Sequence, residues 1–206
     1  MVISNMGTIV LSLTSDPLSA INIPSDVVTA NQVKILSISN TLSRLVVGPL
    51  ADFVSPVASY LPTGATIYPR KHRISRVVFL TLPTSLLCMV FLWMEIGAKS
   101  RRAVWVLSVG TGINYGAVFA VLPSIVSSGW GTANLGRNFG ILSYAPFIGT
   151  PIFSYLYAFI SAANSDESEI CQGTICWRVT FWVATVTSAA AVLGTLILWK
   201  HWHGHL

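Results

Sequence analysis

The sequence predicts an all-α fold, a polytopic bundle of membrane helices, and three observations carry that prediction. Only 9% of the 206 residues are Asp, Glu, Lys or Arg, where soluble globular domains carry about 25%. Hydrophobic residues make up 53% of the chain and the mean hydropathy is +0.68, more apolar material than one soluble core of this size hides behind a polar shell. The apolar residues also fall into long runs separated by short polar or breaker-rich stretches, the pattern of spans and connections. A helical span takes about 20 residues, so the chain accommodates roughly six spans and no sizeable soluble domain.

The first run, Met1 to Leu13, reaches only about 20 Å as a helix, against about 30 Å of hydrocarbon. No Lys or Arg precedes its apolar residues, so it does not read as a secretory signal; it reads as the end of a truncated helix. Five further runs are long enough to cross: 33–53, 74–97, 103–127, 138–163 and 177–199. All are expected to be helices, because lipid requires every backbone polar group to be satisfied internally. Residues 1–206 are read as a single bundle. Lys and Arg near span ends decide orientation. A cytoplasmic 55–73 connection puts Arg70, Lys71, Arg73, Arg76, Arg137 and Lys200 on one side and Asp166, Glu167 and Glu169 on the other; Lys99, Arg101 and Arg102 oppose this assignment.

The net charge of +5 is scattered over connections, with no basic stripe interleaved with aromatics, which argues against a nucleic-acid partner. No Gly-rich nucleotide loop occurs, so ATP-driven pumping is not expected. The spans hold no nucleophile with a base and no metal-ligand cluster, so neither an enzyme nor a cofactor is expected. His201, His203 and His205 alternate in the tail and read as solvated rather than as converging ligands. Cys88 lies inside an apolar run and reads as inert. Cys171 and Cys176 sit in the acidic connection at a spacing that permits a bridge without requiring one, and an oxidising compartment on that side would favour it.

Arg44 is the basic residue well inside a span, eight positions from Asp52, about 12 Å of helix rise. Two readings stand: it snorkels or pairs structurally with Asp52, or it faces a pathway and offers a planar fork to a carboxylate. Asn40, one turn away, can hydrogen-bond Arg44 or a substrate. Asn114 and Tyr115 interrupt a Gly-rich stretch in which Gly112 and Gly116 have the spacing of close helix packing; lining a pathway is the alternative. Tyr144 lies in a run made irregular by Pro146, Gly149 and Pro151, and is a further candidate to line or gate the path.

The string Gly48-Pro49-Leu50-Ala51-Asp52, followed after 17 residues by Arg70-Lys71-His72-Arg73, resembles the loop signature of the major facilitator superfamily. Gly112 to Gly116, Leu122 to Ser127, Gly129 to Gly131 and Asn134 to Ile141 look like the nodulin-like and monocarboxylate-transporter-like branch. Arg137 to Phe147, with Ser154 to Phe159, is similar to its fungal vacuolar homologues. The resemblance implies the carboxyl-terminal six-helix half of a twelve-span fold, with Met1 to Leu13 the end of the seventh span. It implies close helix approach at Gly48 and a gating pair between Asp52 and Arg70, Lys71 or Arg73. Arg44, Asn40, Asn114, Tyr115 and Tyr144 would then line a path for a small organic anion such as a monocarboxylate. Asn40 stands where the carriers have a titrating Asp, so this position carries no coupling proton. The expected partners are the lipid bilayer, the substrate and a missing amino-terminal bundle, and the expected place is the vacuolar membrane, or else the plasma membrane. The expected function is alternating-access transport, the chain being a fragment; the alternative is a half-protein that does not transport and associates with another membrane protein.

Overall fold

The computed structural model describes residues 2–13, 24–55, 59–60, 66–67, 75–98, 100–165 and 171–201. Among the described residues six α-helices form the bundle: α1 (Val2–Ser12), α2 (Ser25–Val54), α3 (Val78–Gly97), α4 (Val104–Trp130), α5 (Leu135–Ala163) and α6 (Arg178–His201). A two-residue antiparallel pair, Ser59–Tyr60 with Thr66–Ile67, lies in the α2–α3 connection. The fold is thus the expected all-α bundle. α2 starts at Ser25, eight residues before its apolar run, because Pro24 fixes an extended entry and Asp26 complements the positive end of the helix.

Among the described residues four helices, α3 to α6, are long and apolar enough to cross a membrane, α5 together with the turn before it. Five full-length crossings were expected; α2, although 30 residues long, is too polar to join them. α1 has 11 residues, about 16 Å. Tryptophans favour membrane–water interfaces. Trp93, Trp105 and Trp182 are exposed near one end of the bundle and Trp130 near the other.

α2 and α4 run side by side in parallel and share the most extensive helix contact, followed by α3 with α6 and α3 with α4. The core lies toward the end where α1 stops: Met6, Ile9, Met94, Leu107, Trp177 and Phe181 are almost completely buried there. Phe181 packs edge-on to both Phe91 and Trp177. A smaller cluster of Ala51, Leu80, Val121 and Ile125 closes the other end.

α5 is the least packed helix. From Gly140 to Ile152 its side chains are exposed or, at Gly149, half-exposed, and only Tyr157 and Ile160 are buried.

Candidate functional site

The α2–α4 seam is built from small residues. Gly112 and Gly116 stand one turn apart on α4. A Cβ at Gly112 would lie 2.6 Å from the Leu36 carbonyl oxygen, and one at Gly116 would lie 2.5 Å from that of Asn40. Only glycine lets the two backbones come this near. Short polar side chains stitch the seam. Ser108 Oγ donates to Gln32 Oε1 at 2.8 Å, and Ser43 Oγ donates to the Ile113 carbonyl at 2.8 Å. Such bonds let polar groups sit inside a membrane bundle without unpaired donors.

With one side of α2 held against α4, its other residues face outward in two sectors. At 100° per residue, Asp26, Lys34, Ser37, Thr41, Arg44, Gly48 and Asp52 share an arc of about 80°; all but the half-buried Gly48 are exposed. Beside this polar stripe lie Val27, Ile38, Leu42, Leu45, Val46 and Phe53, also exposed. Arg44 sits in the stripe about 15 Å of helix rise from the end of α2. Its Nε donates to Asn40 Oδ1 at 3.2 Å, and the residue is otherwise exposed. The structure therefore brings Arg44 and Asn40 together and does not pair Arg44 with Asp52.

Asp52 has a different partner. Arg76 Nη2 donates to Asp52 Oδ1 at 2.7 Å, and the arginine side chain is 3% exposed against 71% for the aspartate. Arg76 Nε donates to the Ser55 carbonyl at 2.6 Å, so one guanidinium ties the last turn of α2 to the start of α3. Its Nη1 is buried without a hydrogen-bond partner among the described residues. Arg70, Lys71 and Arg73, the expected partners of Asp52, lie outside the described residues, as do Asp166, Glu167, Glu169, His203 and His205. Arg76 was legible only as one charge among several. The usable signal was its position at the start of an apolar run, where a buried cation needs a counter-charge.

The remaining candidates separate. Asn114 is buried and its Nδ2 donates to the Pro83 carbonyl at 3.1 Å, which directs it to α3 and away from Arg44. Tyr115 is 41% exposed and packs on Phe119, with ring centroids 4.5 Å apart. Tyr144 is 62% exposed on α5 and meets Phe147 edge-on. Gly48, expected at a close helix approach, has nothing within 4 Å of where a Cβ would stand, because it belongs to the outward stripe. Cys171 and Cys176 form a disulfide. Glu95, inside α3, escaped the sequence reading; it accepts from Thr185 Oγ1 of α6 at 3.3 Å.

The sequence profile described as the NFD4 carboxyl-terminal domain matches residues 27–203. The chain belongs to this family. Relatives of this NFD4-type domain include "Probable transporter MCH1" of Gibberella zeae, 30% identical across 98% of this chain and 37% of the relative. The protein of that name from Neurospora crassa is 29% identical across 98% of this chain and 36% of its own length. That of Saccharomyces cerevisiae is 25% identical across 97% and 37%. The chain spans little more than a third of the length of these curated relatives. No solved structure matches it at a significant level. The resemblance read from the Asp52 and Arg137 strings thus holds: the fungal relatives are named probable transporters, and the matched profile is a carboxyl-terminal domain. Together with the apolar helices, this makes the NFD4-type domain an integral, multi-pass membrane protein.

Proposed function

We infer that this bundle is the carboxyl-terminal part of a secondary transporter for a small organic anion, working by alternating access. The observation that carries the reading is the polar stripe of α2. α2, too polar to count among the lipid-crossing helices, exposes Lys34, Ser37, Thr41 and Arg44 along one arc; packed in a bilayer beside α4, it would place these costly groups in lipid unless the arc faces a second bundle or a water-filled path. Arg44 is the anion-binding group and Asn40 holds it in position. Its exposed guanidinium offers a carboxylate two parallel N–H donors. Asn114 and Tyr115 take supporting roles in this reading, Asn114 by tying α4 to α3 and Tyr115 by edging the path. Tyr144 faces the path from α5.

The Asp52–Arg76 pair is the gate residue set at the far end of α2. It holds the α2–α3 turn in one state and breaks in the other. The relatives' names support the transporter class, and the motif resemblance supports the vacuolar membrane as its place. The path is completed by a second bundle that packs against the outer face of α2 and α5.

The test is uptake of radiolabelled monocarboxylates into liposomes, with the chain reconstituted alone and co-expressed with the amino-terminal remainder of the Gibberella zeae relative. Uptake is expected in the paired preparation. Arg44→Ala is expected to reduce it about tenfold or more, since charge-assisted hydrogen bonds contribute about 1.5–3 kcal/mol. Arg44→Lys is expected to fall between the two, because it keeps the charge and loses the fork. Unchanged uptake and affinity in Arg44→Ala would remove Arg44 from the path.

A further inference from the structure

Among the described residues, the donors that meet the end of α1 come from far along the chain. A helix leaves its last carbonyls without partners inside the helix, and here those groups are buried: Ser12 is 3% and Leu13 2% exposed. Their donors come from distant parts of the chain. The Gly173 amide donates to the Ser12 carbonyl at 2.7 Å. Arg101 Nε donates to the Leu13 carbonyl at 2.8 Å, placing a cation at the negative end of the helix. Trp177 Nε1 donates to Ser12 Oγ at 3.1 Å, while Ser12 Oγ itself donates to the Ile9 carbonyl at 2.9 Å.

Two of these three outside donors belong to one short segment. Cys171 and Cys176 are bridged, which closes a loop around Gly173; Trp177 follows directly and begins the stack onto Phe181. Gly173 has φ 88°, a left-handed conformation that other residues adopt only with strain. The segment is thus a covalently closed loop whose bend points one amide at α1. Cys171 is 4% and Cys176 0% exposed, so the bridge sits inside the contact rather than at its rim.

We propose that Cys171–Trp177 is a strap: the disulfide preforms a loop that caps α1 from outside, so the end of α1 and the first turn of α6 move as one body. Without the bridge the loop samples open conformations, the Gly173 amide leaves Ser12, and α1 frays from its carbonyl end. The role is local. The far end of the bundle, where Asp52 meets Arg76, does not depend on it. The strap stands on its own contacts and holds whether or not the bundle belongs to a transporter.

The test is amide hydrogen exchange on the full chain in lipid nanodiscs, comparing wild type with Cys171→Ser/Cys176→Ser. Exchange at Gly173 and in the last turn of α1 is expected to quicken about tenfold, with Leu50 to Ser55 changing less than about twofold. Trp177→Phe keeps a ring in the core and loses the donor to Ser12; it is expected to quicken the last turn of α1 by about two- to threefold while Gly173 stays protected. If the bridge-free variant does not fold, reduction of the bridge in the folded, reconstituted wild type gives the same comparison. Unchanged exchange at both α1 and Gly173 overturns the strap. Equal acceleration at both ends of the bundle also overturns it, since the bridge would then act on global stability.

Discussion

Arg76 and Asp52 show how unequal the two members of an ion pair can be. The guanidinium is nearly dry and the carboxylate is mostly in solvent. Removing Asp52 strands a buried cation; removing Arg76 leaves an aspartate that water can hydrate. Asp52→Ala is therefore expected to destabilise the bundle by about 1–3 kcal/mol, below the cost of breaking a fully buried pair because water reaches this one. Arg76→Met fills similar space without charge but takes the Nε donor away from the buried Ser55 carbonyl, and is expected to cost about 1–3 kcal/mol as well. Denaturant titration of both variants in mixed micelles checks this, and a loss well below about 1 kcal/mol in either would contradict it. At this scale the sequence was half legible. Asp52 announced itself as a charge at a helix end, but its partner did not: the conspicuous basic cluster begins at Arg70, whereas the guanidinium that reaches Asp52 belongs to Arg76. Reach depends on where the connection turns, and that turn is set by the Ser55 carbonyl accepting from Arg76 Nε.

At the scale of elements, α2 and α4 are a pair matched by size. The glycines of α4 remove side chains where the α2 backbone arrives, and the serines at 43 and 108 supply the cross-bonds. Gly116→Ala puts a methyl against backbone that cannot rotate away, and is expected to destabilise by about 1–3 kcal/mol. Gly48→Ala meets nothing and is expected to be neutral or to stabilise by up to about 1 kcal/mol through helix propensity. The same micelle titration separates them, and equal effects would contradict the seam. The Gly112/Gly116 spacing was readable as a packing device. Gly48 carried the same sequence signal without the packing, since whether a glycine faces a neighbour depends on how its helix is rotated.

For the whole molecule, the two ends of the bundle differ in chemistry. One end holds the disulfide, the capped end of α1 and the tryptophans at 93, 105 and 182; the other holds the Asp52–Arg76 pair, Arg137 and Lys200. Arg101, which opposed the charge-based orientation, is engaged as the donor to Leu13, so its charge answers to a helix end and weighs less in the positive-inside balance. In a Cys88→Ala background, a cysteine at Thr132 is expected to react with an impermeant maleimide from the cytoplasmic side, and one at Ser165 from the opposite side. Labelling of both from one side would refute the antiparallel course of α5.

Composition and run length by themselves determined that this protein is a bundle of membrane helices, and local strings placed it near its transporter relatives. Those properties are one-dimensional: a deficit of charge, the length of an apolar run and the order of residues in a motif survive without knowledge of any contact. Only the tertiary structure decided that Arg76 answers Asp52, that Asn114 turns to α3, that Gly48 packs on nothing and that α1 borrows its cap from the disulfide loop. Each of those facts joins segments distant in the chain. Each depends on helix rotation, where one residue of register turns a side chain through about 100°, from the seam between helices to the face beyond it.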